Sequence, residues 1–130
     1  MRASFAFAVV ALALCGPPAV HAEGDAKKAK TPYIQLETVA VSTMRATGHR
    51  GVLTVEVGID ATDAALRNRV DLVQPLLRSA YVSALQTYAL GITPGGPPNA
   101  DYIAMSLQRE TDKVLGHKGA RLLIGSVLIN

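Results

Sequence analysis

An apolar stripe at helical spacing, with a proline set inside it, runs through the middle of this 130-residue chain. Leu66, Val70, Val73, Leu77, Ala80, Ala84 and Tyr88 recur at steps of three or four, so they share one face of a helix. A face of that kind has to be buried against another layer. Pro75 falls among these positions, and a proline in a helix interior costs about 3 kcal/mol or forces a kink. The spacing therefore predicts two helical pieces, residues 63–73 and 75–89. Pro75 then sits in the first turn of the second piece, where a missing N–H costs nothing. Thr62 or Asp63 is placed to cap the first piece, and Gly91 to end the second.

Strand patterns lie on both sides of this stripe. Residues 33–44 are rich in Val, Thr and Ile and predict a strand. Ile34 and Leu36 are out of phase with Val39 and Val41. A bulge near Thr38 would return both pairs to the core, because one extra residue shifts the pleat; the alternative is a strand covered on both faces. After a glycine-flanked turn at Thr47–Gly51, residues 52–60 alternate cleanly, with Leu53, Val55, Val57 and Ile59 on one side. The two strands make a hairpin. Downstream, Thr93–Pro98 is a Gly/Pro loop, and Asn99 or Asp101 caps a further helix with Ile103, Leu107 and Val114 on its buried side. Gly116 is the expected left-handed stop. Residues 121–129 predict a last strand that is apolar on both faces. Leu122, Ile124 and Leu128 fall on one, and Leu123, Val127 and Ile129 on the other. The fold class is α+β: one antiparallel or mixed sheet with the helices on one face.

The leader sets the expected location. Met1-Arg2 precedes an apolar run from Ala3 to Gly16, then two prolines and Val20-His21-Ala22. This is the three-part pattern of a signal peptide cleaved after Ala22 and exported by the general secretory route to the periplasm. The alternative is an inner-membrane anchor through residues 3–22, although the run is shorter than the ~20 residues a span needs. Leu14 before Cys15 argues against lipidation, since that position is normally small. Residues 23–31 predict a charged linker and residues 32–130 the domain. Cleavage removes Cys15, the chain's single cysteine, so disulfides are not expected. The formal net charge of +3 is too mild to imply nucleic acid. Lys27, Lys28 and Lys30 are expected to lie in a solvated linker, the alternative being attraction to anionic headgroups, which three lysines without an apolar face hold weakly; membrane association is expected only if the leader is uncleaved.

Catalytic patterns are not evident. His49 and His117 each lie beside glycine in predicted turns, and a zinc site needs three or four organised ligands. No serine has a nucleophile-elbow context. Glu110 and Asp112 are two apart on a helix and point to different faces. The loop at residues 91–98 lacks the Lys-Ser/Thr of a phosphate cradle. The expectation is a protein without catalytic residues, cofactor or metal. Arg67, Asp71, Gln74 and Arg78 share a helical face, expected to be solvated with one internal ion pair. Arg67 and Arg78 are its candidates for docking an acidic partner. Leu123, Val127 and Ile129 are the candidates for self-association, because a sheet with helices on one side would leave one face of the last strand in water.

Several short segments resemble the periplasmic domain of the FliL proteins of the flagellar basal body. Pro32-Tyr33-Ile34-Gln35-Leu36 and residues 51–57 resemble its first two strands. Pro75-Leu76-Leu77-Arg78-Ser79-Ala80 resembles its proline-opened helix, and Val114-Leu115-Gly116 with residues 121–129 resembles its closing helix and strand. The resemblance spans residues 31–130. It implies a compact α+β domain akin to stomatin-type domains. It also implies ring-like self-association around the flagellar stator and support of the stator without catalysis. The chain departs from the family in its leader, which looks cleavable where family members keep a transmembrane helix. No binding residue carries over from the family. A second class of function is a soluble periplasmic domain that binds a small apolar ligand or lipid.

Overall fold

The structure is a computed structural model that describes residues 32–130; the signal-peptide and linker expectations lie outside the described residues. Six elements follow in order: β1 Tyr33–Gln35, β2 Val39–Met44, β3 Arg50–Asp60, α1 Ala64–Gly91, α2 Ala100–Leu115 and β4 Arg121–Ile129. The class is α+β, as the strand and helix patterns predict. All strand pairs are antiparallel and all involve β3. Val55 faces both Val39 and Val127, and Ile59 faces both Ile34 and Leu122. So β4 lies along one side of β3, while β1 and β2 share the other.

The expected first strand is split in two, and the split is a bulge. Gln35 faces Gly58 and Val39 faces Val55, four steps on one strand against three on the other. Leu36 N–H still donates to the Val57 carbonyl at 3.1 Å. The extra residue turns Ile34, Leu36, Val39 and Val41 towards one core. Leu53, Val55, Val57 and Ile59 are fully buried beside them.

A second bulge corrects the reading of the last strand. Val55 faces Val127 but Val57 faces Ile124, so Gly125 and Ser126 together oppose Glu56. The phase changes there. Leu122, Ile124, Val127 and Ile129 all pack towards the core, whereas Leu123 and Leu128 share the opposite face. Val127 and Ile129 are therefore not part of an outward apolar set with Leu123.

The helix also differs from expectation. α1 is one 28-residue element with Pro75 inside it, not two pieces. Val70, Val73, Leu77 and Tyr81 form an unbroken buried line past the proline, and that burial offsets the lost hydrogen bond. Pro75 and Asp71, whose carbonyl would have received that bond, are both on the exposed side, where water can replace the missing donor. Beyond Leu77 the buried line runs through Tyr81, Leu85 and Ala89; Ala80, Ala84 and Tyr88 are half-buried. Asp63 caps α1 through Leu66 N–H at 3.2 Å, and Asn99 caps α2 through Tyr102 N–H at 3.0 Å. Gly116 stops α2 at φ 80°, the left-handed conformation expected of it. The α2 line is Ile103, Leu107, Thr111 and Leu115, with Val114 only half-buried. α1 packs over β2 and α2 over β4, on the same face of the sheet. The other face is uncovered among the described residues. No helix of the described residues is long and apolar enough to cross a membrane.

Candidate functional site

The two arginines expected on a solvated stripe each bond to another segment of the fold, Arg67 half-buried and Arg78 exposed. Arg67 Nη1 donates to the carbonyls of Ala61 at 3.0 Å and Thr62 at 2.7 Å, which ties α1 to the end of β3. Arg78 Nη1 lies 2.8 Å from Glu37 Oε2 and 3.4 Å from the Thr38 carbonyl, which ties α1 to the β1–β2 bulge. The expected ion pair within the stripe is not formed. Asp71 accepts instead from Gln74 Nε2 at 3.4 Å. The Arg78–Glu37 pair is largely solvated, so its net worth is at most about 1 kcal/mol. Below it is a cleft of about 230 Å³ between the bulge and α1, floored by Leu36, Val39 and Tyr81. Arg78 was not readable as a clamp from sequence, because Glu37 and Thr38 are about forty residues away along the chain, and Arg67 was not because its partners are backbone carbonyls, which residue types do not mark.

Between the helices a polar pair is sealed in the core. Tyr81 Oη and Thr111 Oγ1 are 2.6 Å apart, and Thr111 donates to the Leu107 carbonyl at 2.8 Å. Thr111 has one proton, so Tyr81 is the donor in the neutral pair. Burial pushes the Tyr81 phenol up to about 12; the Thr111 hydroxyl, able to turn towards a phenolate, offsets part of that. A phenol held this firmly neutral supports packing, not acid–base chemistry near pH 7.

The outer edge of β4, like that of β2, has no strand beside it among the described residues. Asn130 exchanges both of its backbone hydrogen bonds with Val52, at 2.8 and 3.0 Å. By the alternation of an antiparallel ladder, Ile129 and Val127 turn their N–H and C=O groups away from β3. At the strand's start this edge is sealed by one side chain. Gln108 of α2 accepts from Leu122 N–H at 2.8 Å and donates to the Ala120 carbonyl at 2.8 Å, standing in for a neighbouring strand. No sequence signal singles out Gln108, which reads as an ordinary polar helix residue. From Ile124 to Ile129 nothing among the described residues takes its place. Leu123 sits half-buried on the uncovered face.

The remaining polar groups are dispersed. His49 Nδ1 is 3.1 Å from Thr47 Oγ1, and His117 Nδ1 donates to the Lys118 carbonyl at 3.0 Å. Glu110 pairs with Lys113 at 2.7 Å, while Asp112 accepts from Gln108 at 3.0 Å, so the two carboxylates serve different partners. Among the described residues no three His, Cys, Asp or Glu side chains come together as metal ligands would. Tyr88 and Tyr102 stack with centroids 5.6 Å apart, lining an open groove of about 560 Å³ where α1 and α2 meet. No protein-family model matches the chain, and comparison with curated proteins and with solved structures finds no match.

Proposed function

We propose that this chain is a non-catalytic interaction module of the FliL kind, exported to the periplasm, that associates with copies of itself through the free edge of β4. The observation that carries this reading is the run from Ile124 to Ile129, with edge backbone groups unpaired and no proline or lysine to blunt it. Pairing two such edges antiparallel would satisfy those groups and hide part of the half-buried aliphatic surface. Association entropy offsets much of that gain, so the complex is weak and concentration-dependent. The place beside the flagellar stator rests on the family resemblance of residues 31–130, and the periplasmic address on the leader. The second reading, a binder of small apolar molecules, has the cleft under Arg78 in its favour. At about 230 Å³ it is smaller than the ~300–1,000 Å³ of typical ligand sites.

Light scattering across a concentration series tests the association. Wild-type mass should rise with concentration, and Leu123→Lys, which sets a charge beside the edge on the uncovered face, should remain monomeric. A wild-type protein that stays monomeric at the highest concentration removes the proposal. Loss of swimming in a strain lacking the chain would support the flagellar assignment, and unchanged swimming would remove it.

A further inference from the structure

The charged side chains of residues 38–55, at the end of the sheet that carries the β2–β3 turn, are all basic. Residues 38–55 contain Arg45, His49 and Arg50 and no carboxylate. Neither arginine has a hydrogen bond or ion pair from its guanidinium among the described residues; Arg45 lies alongside Gly51. The α1–α2 loop stands next to this turn, with Gly95 against Ala46, and residues 92–100 carry no charge at all. The nearest carboxylates along the chain are Glu56, exposed on the same face of β3 two residues past Thr54 and lying against Gly125 of β4, and Asp101, on the first turn of α2.

Beside these cations the uncovered face is aliphatic. Met44, Val52 and Leu128 are 46%, 43% and 53% exposed. Met44 is paired with Arg50, Ser42 with Val52, and Thr54 with Leu128. The three apolar side chains thus stand on one diagonal across β2, β3 and β4, within reach of one another.

We propose that this end of the sheet docks on an anionic lipid surface. The aliphatic face lies beside a shallow opening of about 590 Å³ bordered by Arg45, Ala46, Gly95 and Asn130. An aliphatic centre with cations at its rim suits an interface where side-chain stems enter the acyl boundary and guanidinium groups remain among phosphates. Residues 38–55 and 92–100 contribute no carboxylate, so the repulsion that an anionic surface would impose is limited to Glu56 at the inner border of the patch. This proposal does not depend on the β4 edge, because the patch is on the face of the sheet and the edge is at its side.

Sedimentation with phosphatidylcholine vesicles, with and without phosphatidylglycerol, tests it. The full chain is used for wild type and variants, so residues 1–31 contribute equally to each. Wild type should bind the phosphatidylglycerol vesicles more tightly, and rising salt should weaken that preference. Arg45→Gln with Arg50→Gln should lower partitioning by about thirtyfold, from two surface cations lost. Met44→Ser with Leu128→Ser should weaken binding while leaving the salt dependence. Unchanged thermal unfolding of both pairs verifies that the fold persists. Equal binding by wild type and the arginine pair would overturn the proposal. So would binding to polyglutamate without binding to vesicles, which would make the patch a dock for an acidic protein.

Discussion

Tyr81 is the side chain whose chemistry and packing are most tightly joined. Its ring is buried between the sheet and α2, and its hydroxyl donates to Thr111. The folded phenol titrates at about 12 against an ordinary value of 10. Because the folded state holds this proton more strongly than the unfolded chain, stability is unaffected below pH 10 and falls as pH rises towards 12. The loss over those two units is ~3 kcal/mol. Tyr81→Phe should cost about 1 kcal/mol near neutral pH, since Thr111 keeps its bond to Leu107. It should also flatten the alkaline fall. Denaturant unfolding of both proteins between pH 8 and pH 12 checks this, and a wild-type-like alkaline fall in the variant would assign the effect to other groups. The sequence pattern did not select Tyr81 for the buried line. Ala80, Ala84 and Tyr88 continue the step of three or four as well as Tyr81, Leu85 and Ala89 do. Alanines are small enough to suit either environment, so periodicity alone left the two lines equivalent.

Two bulges and one proline decide how the elements lie, and they were not equally legible. The β1–β2 bulge was one of two readings open to the sequence, because Ile34 and Leu36 are out of phase with Val39 and Val41, and either a one-residue shift or a strand covered on both faces would bury both pairs. The β4 bulge left no such mark. Leu123 and Leu128 are aliphatic too, so both phases of β4 look buried and nothing reveals that Gly125 and Ser126 share one partner. Pro75 was visible but its consequence was misjudged. Proline chemistry favours a break, yet the buried line from Val70 to Tyr81 passes it without interruption. Pro75→Ala should therefore restore a missing hydrogen bond in mid-helix and stabilise the protein by about 1–3 kcal/mol. A first-turn proline would have made the same change mild. Thermal unfolding distinguishes the two, and an unchanged or lowered midpoint would mean that the proline-set geometry is itself needed for packing on β2.

A single contiguous core joins all six elements, from Leu36 beside the first bulge to Leu122 at the start of β4. Its aliphatic part was legible because strand alternation and helix stripe both point to it. The candidate site was less so: arginines and a final apolar strand are visible as residue types, but Arg78 and the last strand find their partners in distant segments, and Arg67 finds its own in backbone carbonyls. One core shared by sheet and helices implies one cooperative unfolding unit. Leu77 tests that from its centre. It is fully buried on α1, two residues from Pro75 but on the opposite side of the helix. Leu77→Ala removes apolar surface and leaves a cavity in a region held by both layers, so a loss of about 2–5 kcal/mol is expected. Helix content by far-ultraviolet circular dichroism and tyrosine emission, dominated by the four tyrosines in a chain without tryptophan, should shift together. Separate transitions would show that α1 and α2 can leave the sheet independently. An unchanged midpoint would mean that the stripe centred on Leu77 does not hold the two layers together.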